Sequence, residues 1–123
     1  MKTEISPTEQ LNVIHAEMIG FLDLLERIPN GSYRQLFAEL VKHTQEHFAV
    51  EQAMMAEFDF PARAEHLAEH QRMLAQLAGL DDALPNTDPH ELREFVDHEF
   101  ADWIEQHIAA MDQPLQAHIE RLH

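Results

Sequence analysis

Histidine is the residue type that stands out in this 123-residue chain, which contains ten of them. His43, His47 and Glu51 follow one another at intervals of four, and His66 and His70 repeat the same interval. Residues four apart lie on one face of an α-helix, so each set points its side chains in one direction. Imidazole nitrogens and carboxylate oxygens on such a face are ligands that suit first-row transition metals.

Two further histidines lie among apolar residues. His15 stands between Ile14 and Met18 on the apolar stripe of a first helix, and His107 follows Trp103 by four on the stripe of a fourth. A single imidazole facing a core is usually satisfied by a backbone carbonyl. Five or six imidazoles that converge with a carboxylate would leave a large unsatisfied polar load unless something binds them. We therefore predict a metal site inside the protein.

The donor atoms limit which metal the site can hold. The chain has no cysteine, which excludes thiolate zinc sites, iron–sulfur clusters, disulfides and thiol nucleophiles. Five imidazoles and two carboxylates are too many for one ion but suit two neighbouring ions that the carboxylates bridge. Iron or manganese is favoured over zinc, because a structural zinc site closes with four ligands.

The second carboxylate of this set, Asp112, follows His107 by five residues. On a regular helix that spacing turns two side chains about 140° apart. We therefore hypothesise a widened, π-type turn between them, helped by Pro114, which cannot donate to the carbonyl four residues back. Taken alone, Asp112 would be interpreted as a solvated or capping aspartate at a helix end.

The other histidines, His90, His98, His118 and His123, are not predicted to be ligands. His98 falls among acidic residues on a solvated face, and the other three lie at a helix start or in the C-terminal segment. We interpret all four as ordinary titrating surface groups.

Four helices must position the inward side chains, and the sequence shows no strand-like alternation. Capping residues, helix-starting prolines and stop signals divide the chain at Ser6-Pro7, Pro29-Asn30-Gly31, Ser32, Pro61, Gly79, Asp88-Pro89 and Pro114. The predicted helices cover residues 7–28, 33–58, 61–79 and 89–112, with a loop at 80–87 and a short amphipathic segment at 114–122. We predict one all-α domain over residues 1–123, an up-down-up-down antiparallel four-helix bundle.

The charge of the chain argues against several partners. Its 23 Asp and Glu residues against 8 Lys and Arg residues give a formal net charge of −15. Such a charge opposes binding to nucleic acid and to anionic membrane surfaces. No apolar stretch has the length of a signal peptide or a transmembrane helix, so we expect a cytoplasmic protein, and we expect it to be monomeric.

The ordered motifs resemble the hemerythrin family, in particular its single-domain bacterial members. The matching elements follow the four helices in order: His15; His47-Phe48 with Glu51-Gln52 and Met55; His66 with His70; and Trp103 with His107-Ile108 and Asp112. The resemblance covers nearly the whole chain. It is specific, because four separate segments must carry the right residues in the right order.

This resemblance implies two iron ions in a non-heme di-iron site that binds dioxygen reversibly. By analogy, Glu51 and Asp112 would bridge the irons together with an oxo or hydroxo group. The terminal ligands would be His66, His70 and His107 for one iron and His15 and His47 for the other, which keeps an open position. An apolar pocket wall favours dioxygen binding over oxidation, and the resemblance assigns it to Phe48, Met55, Trp103, Ile104 and Ile108.

His43 stands where members of the family often have an aromatic residue. It can be an extra ligand, a core imidazole or, the interpretation that we favour, a hydrogen-bond donor beside the ligands. A histidine near the open position could pass protons to bound peroxide. Such a role of His43 would favour an enzyme, but the leading hypothesis that the resemblance implies is an oxygen-binding protein for storage, delivery or scavenging, without catalytic residues. The alternatives are a di-iron enzyme acting on peroxide or nitric oxide, and a metal-buffering bundle.

Overall fold

The computed structural model describes residues 6–122, and every regular element in that range is helical. The helices are α1 Pro7–Arg27, α2 Tyr33–Glu57, α3 Arg63–Asp82, α4 Pro89–Phe95, α5 Ala101–His107 and α6 Gln113–Arg121. Short 3₁₀ turns at Asn30–Ser32 and Leu84–Asn86 precede α2 and α4. Helix α2 packs against α1, α3 and α4, and α1 also packs against α6. The prediction of an up-down-up-down antiparallel four-helix bundle is confirmed.

Helices α4, α5 and α6 form one continuous helical run, joined by the π-helical segments Val96–Phe100 and Ile108–Asp112. In the second segment, the amide of Gln113 donates to the carbonyl of Ile108, five residues back. The widened turn expected between His107 and Asp112 is therefore present. The sequence predicts that Pro114 kinks or ends the fourth helix; the end is wrong, because this proline stands in the first turn of α6 and the helix continues through it.

Local capping explains where the helices begin. The side chain of Ser6 accepts a hydrogen bond from the amide of Glu9 at 3.2 Å, and Asp88 accepts one from the amide of His90 at 2.8 Å. Ser32 makes no such bond, because the preceding 3₁₀ turn already gives it a helical backbone conformation. The capping signals at Ser6 and Asp88 are thus confirmed, and Ser32 does precede the first residue of α2 as predicted, although without a capping bond from its side chain.

Helix α3 differs from its predicted bounds at both ends. It begins at Arg63, because the residues before it form a turn in which the amide of Arg63 donates to the carbonyl of Phe60 at 3.2 Å. That turn follows Asp59, whose φ of 54° lies in the left-handed region that aspartate tolerates. Gly79 does not stop the helix, since its φ is not positive, and α3 continues to Asp82.

Two apolar clusters fill the interior at opposite ends of the bundle, and a polar layer separates them. In α1, His15 lies between Leu11 of the smaller cluster and Met18 of the larger one. In α2, Glu51 lies between Phe48 of the larger cluster and Met54 of the smaller one. No helix within residues 6–122 has the length and apolarity needed to cross a membrane.

Arg93 of α4 holds the C-terminal end of α1. Its guanidinium donates to the carbonyls of Leu25, Glu26 and Ile28 at 3.2, 3.3 and 2.7 Å. The same group lies 4.5 Å above the centre of the Tyr33 ring. These contacts satisfy carbonyls that the helix end leaves without partners, and they fix the end of α1 against α4.

Candidate metal centre

Seven polar side chains from all parts of the bundle make up the polar layer. They are His15 from α1, His47 and Glu51 from α2, His66 and His70 from α3, His107 from α5, and Asp112 from the second π segment. All are buried: His15 is the most accessible, at 9%, and the two carboxylates are fully covered. The structure therefore brings together every residue that the sequence predicted as a metal ligand.

The seven residues form two overlapping groups of donor atoms. Glu51, His66, His70, His107 and Asp112 make the larger group, and His15, His47, Glu51 and Asp112 make the smaller one. In each group, one donor atom from every residue lies within 4.8 Å of all the others. Both carboxylates belong to both groups, so the two donor groups share two residues.

Glu51 divides its two oxygens between the two donor groups. Its Oε1 lies 3.2 Å from Nε2 of His66 and 2.9 Å from Nε2 of His70. Its Oε2 lies 2.7 Å from Nε2 of His47 and 3.5 Å from Nε2 of His15. The spacing of four between His47 and Glu51 places both side chains on one face of α2, which makes the shortest of these contacts a local one.

Asp112 divides its oxygens in the same way. Its Oδ2 lies 3.0 Å from Nε2 of His15, whereas its Oδ1 lies 3.0 Å from Nε2 of His66 and 3.2 Å from Nε2 of His107. Neither contact of Oδ1 has the geometry of a hydrogen bond, and this buried oxygen has no hydrogen-bond partner among residues 6–122. An oxygen that is close to two imidazole nitrogens without such a bond is suited to share a cation with them.

The spacing of the imidazole nitrogens also fits a metal ion. Nε2 of His107 lies 3.2 Å from Nε2 of His66 and 3.1 Å from Nε2 of His70. An octahedral ion with bonds of about 2.1 Å holds neighbouring ligand atoms about 3 Å apart. Neutral imidazole has one nitrogen with a free lone pair, so three of them can present lone pairs to a common point. The residues present therefore fit a transition-metal ion.

One imidazole has a partner on its far side. Nδ1 of His70 lies 3.2 Å from the side-chain amide of Gln52. A histidine that binds metal through Nε2 keeps its proton on Nδ1, and the oxygen of the Gln52 amide can accept a hydrogen bond from this N–H group when the amide oxygen and nitrogen exchange places. Sequence reasoning gave Gln52 no role, although its place directly after Glu51 in the matching motif was a signal.

The histidines and carboxylates of the polar layer shift one another's pKa values. Burial lowers the pKa values of His15 and His107, but the nearby carboxylates of Asp112 and Glu51 outweigh burial and raise both to about 9. Burial would raise the pKa of Glu51, but His107, His15 and the other imidazoles close to its oxygens hold it well below its ordinary value. The pKa of Asp112 is lowered in the same way. Without a metal, protons on the imidazoles balance the carboxylates, and a cation can replace those protons.

Two aromatic rings lie flat against imidazoles of the larger group. Phe48 stacks on His70 with the ring centres 3.9 Å apart and an angle of 2°. Trp103 stacks on His107 at 4.7 Å and 13°. Of the other predicted wall residues, Met55 is fully buried in the smaller cluster and Ile104 is buried in the larger one. Together with the half-buried Ile108, Ile104 also lines a surface groove of about 540 Å³ between α1 and α5.

His43 lies outside both groups of donor atoms. Its ring stacks on Phe21 at 5.6 Å and 25°, and its Nε2 is buried without a hydrogen-bond partner in the described part of the chain. Burial and the nearby His47 lower its pKa, so His43 is neutral at pH 7. It lines a cavity of about 340 Å³ between α1 and α2, and His47 lines the same cavity.

The remaining histidines lie away from the polar layer. His90 and His98 are exposed and lie 3.5 and 3.4 Å from the carboxylate oxygens of Glu94. The prediction that His118 is an ordinary surface group is wrong, because its half-buried ring bonds to the carbonyl of Phe58 at 2.8 Å and joins α6 to the end of α2. His123 lies outside the described residues.

Comparison with known proteins agrees with this geometry. The family model of the hemerythrin HHE cation binding domain matches residues 6–119, a span that includes all seven donors. A bacteriohemerythrin of Aquifex aeolicus (strain VF5) is 31% identical over 107 residues, which are 83% of this chain and 82% of the relative. No solved structure matches the chain. With a family model that spans nearly its whole length and a cation-binding donor set in its core, the chain belongs to the hemerythrin family.

Proposed function

We propose that the polar layer holds two iron ions and binds dioxygen reversibly, for storage, delivery or scavenging. The proposal is based on the unequal division of the donor residues. One group has five donor residues and the other has four, and Glu51 and Asp112 belong to both groups. The two carboxylates can then bridge the ions. An ion that accepts six ligands has more free positions in the smaller group, so an external ligand would bind on the side of His15 and His47.

Iron is the metal that best suits both the donors and the proposed ligand. When bound, a reduced iron pair supplies the electrons that reversible dioxygen binding requires. The chain has no cysteine, so its imidazole and carboxylate donors favour a borderline or hard ion. The description of the family model names cation binding, which supports a bound metal. The proposed number of two ions is based on the two overlapping donor groups.

The surrounding side chains would keep the centre dry and rigid. Phe48 and Trp103 cover the faces of His70 and His107, which fixes these rings and excludes water from them. The apolar clusters close the layer from both ends of the bundle. A water-poor environment disfavours the release of charged oxygen species, and it therefore favours binding over net oxidation.

The test combines metal analysis with visible spectroscopy. The protein is loaded with iron, reduced with dithionite without oxygen, exposed to air and then flushed with argon. We expect about two irons per chain and a visible absorption in air that argon reverses. Rapid conversion to the oxidised spectrum with consumption of peroxide would contradict the carrier function. Purified protein that holds zinc and takes up no iron would instead support a metal-buffering bundle.

One observation favours a second candidate, a di-iron enzyme acting on peroxide or nitric oxide. The neutral ring of His43 has a buried nitrogen without a partner, one helical turn before His47. A neutral imidazole can take a proton from solvent on one nitrogen and release one from the other, so His43 could relay protons toward the open side. A variant His43→Phe that loses peroxide turnover but still binds two irons would support this candidate; unchanged turnover would contradict it.

A further inference from the structure

We propose that the cavity between α1 and α2 is the route by which a divalent metal cation reaches the polar layer, with Glu17, His43 and Glu46 as its transient ligands. This inference rests on the metal-binding function proposed above. The cavity, here called the α1–α2 cleft, has a volume of about 340 Å³, and its wall includes His47 of the polar layer. The cleft thus connects the protein surface to one of the donors.

A metal ion needs such a route because the donors are almost completely covered. The apolar clusters close the layer at both ends of the bundle. A hydrated ion cannot cross packed apolar side chains, because it would lose its bound water and find no other ligands to replace it. Three other cavities of the described residues have none of the seven donors in their walls. Of these four cavities, the α1–α2 cleft is therefore the one that leads to the site.

The polar residues of the cleft suit a cation that gives up its water in steps. Glu17 on α1 and Glu46 on α2 are both exposed, and both carboxylates interact electrostatically with His43. Nε2 of His43 is buried and without a partner among the described residues, so a neutral imidazole lies between the exposed acids and the layer. Carboxylate oxygens followed by imidazole nitrogen are the ligands that the final site also uses.

The same residues make the cleft a poor choice for an uncharged ligand. Dioxygen gains nothing from two carboxylates, because it has no charge for them to attract. The groove at Ile104 and Ile108 is lined mainly by apolar side chains. Such side chains cannot replace the water molecules that a cation loses when it leaves solvent. The chemistry of the cleft therefore favours a cation as its occupant.

The experiment measures the rate of metal uptake by metal-free protein. Cobalt(II) ion is mixed in excess with the protein, and its visible bands report coordination without any oxygen chemistry. The variant E17Q/E46Q should load about tenfold more slowly than the natural chain, because it loses the charges that attract the ion. His43→Phe, which fills the cleft with a ring that cannot bind metal, should also slow uptake. Both variants should reach the same final number of ions per chain.

A matched control separates the route from the overall charge. The variant Asp102→Asn with Glu105→Gln removes two exposed carboxylates from α5, away from the cleft, and should load within about twofold of the natural rate. Uptake by E17Q/E46Q at the natural rate, or equal slowing in the control, would overturn the route. A natural chain that binds no cobalt and no iron would overturn the proposed function instead, so the two failures are distinguishable.

Discussion

Nε2 of His107 lies 3.2 Å from Oδ1 of Asp112, although the two residues are five positions apart in the chain. A regular helix would turn them about 140° away from each other. The π segment Ile108–Asp112 removes this difference, because it takes one more residue into the turn. The position of the Asp112 carboxylate thus depends on a single extra residue in the fourth helical run.

We predict that deletion of Ala110, an exposed residue of this π segment, is tolerated. The deletion places Asp112 four positions after His107 instead of five, a spacing that puts both on one face of a regular helix. The variant should bind the same number of metal ions and unfold within about 5 °C of the natural protein. Circular dichroism on heating and metal analysis measure both quantities.

The matched control is deletion of Gln45, an exposed residue of α2, which contains no π segment. This change would rotate the rest of α2, including Glu51, by about 100° relative to its N-terminal half. We expect loss of metal binding and a large loss of stability. If both deletions reduced metal binding and stability equally, the π geometry itself would be required, and not only the direction in which the Asp112 side chain points.

Removal of either carboxylate should abolish binding of the metal pair. Glu51→Ala and Asp112→Ala each delete a residue common to both donor groups and leave several buried imidazoles without their acceptor. Iron analysis should find fewer than two ions per chain in both variants, while His98→Ala, which changes an exposed ring, should keep the natural number. Normal iron content in the carboxylate variants would refute the assignment.

The stability of the metal-free protein should fall as the pH rises from about 6.5 to about 9. The pKa values of His15 and His107 are raised to about 9, above the value of 6.5 that these groups have without the fold. Their protonated forms therefore stabilise the fold fully below pH 6.5, and this contribution disappears as the pH passes 9. Each imidazole contributes at most about 3 kcal/mol. Urea unfolding at pH 6, 7.5 and 9 measures the change.

The carboxylates act in the opposite direction, since their lowered pKa values stabilise the fold above about pH 4.5 and lose effect as the pH falls. Metal-free protein should therefore be most stable at about pH 5 to 6. Bound metal replaces the imidazole protons, so loading at pH 7 should release about two protons per chain, measurable by calorimetry in buffers of different ionisation enthalpy. Flat stability from pH 6 to 9 and no proton release would contradict the ion-pair network.

Arg93→Ala should destabilise the fold by about 2–3 kcal/mol, because three carbonyls at the end of α1 lose their donor and Tyr33 loses the cation above its ring. Arg27→Ala is the control. It removes an exposed ion pair to Asp23 of 2.9 Å, worth less than about 0.5 kcal/mol. Urea unfolding measures both, and equal losses would show that Arg93 does not hold the helix end.

The sequence predicted the parts of the site that follow from local spacing. His47 with Glu51 and His66 with His70 share a helical face by arithmetic alone, and the apolar stripes around His15 and His107 place these residues inward. The proline at 114 pointed to the second π segment. The sequence offered no comparable signal for the first π segment, Val96–Phe100, where no proline stands nearby.

Contacts between distant residues were the part that local patterns could not predict. His118 bonds to a carbonyl sixty positions earlier, and nothing in its neighbours indicates that partner. Gly79 carried a stop signal, but the end of a helix depends on what packs against it, and α3 continues for three more residues. The contacts of Arg93 with the end of α1 likewise depend on tertiary packing.

The polar layer has a consequence for the order of events in folding. His15 and Asp112 touch across 97 positions of the chain, so this contact can form only after α1 and the fourth helical run have both been synthesised and have met. The pairs within α2 and α3 need only their own helix. A chain leaving the ribosome would therefore form the donor pairs within α2 and α3 early and the complete set of seven donors last. Metal binding is then a step that follows assembly of the bundle.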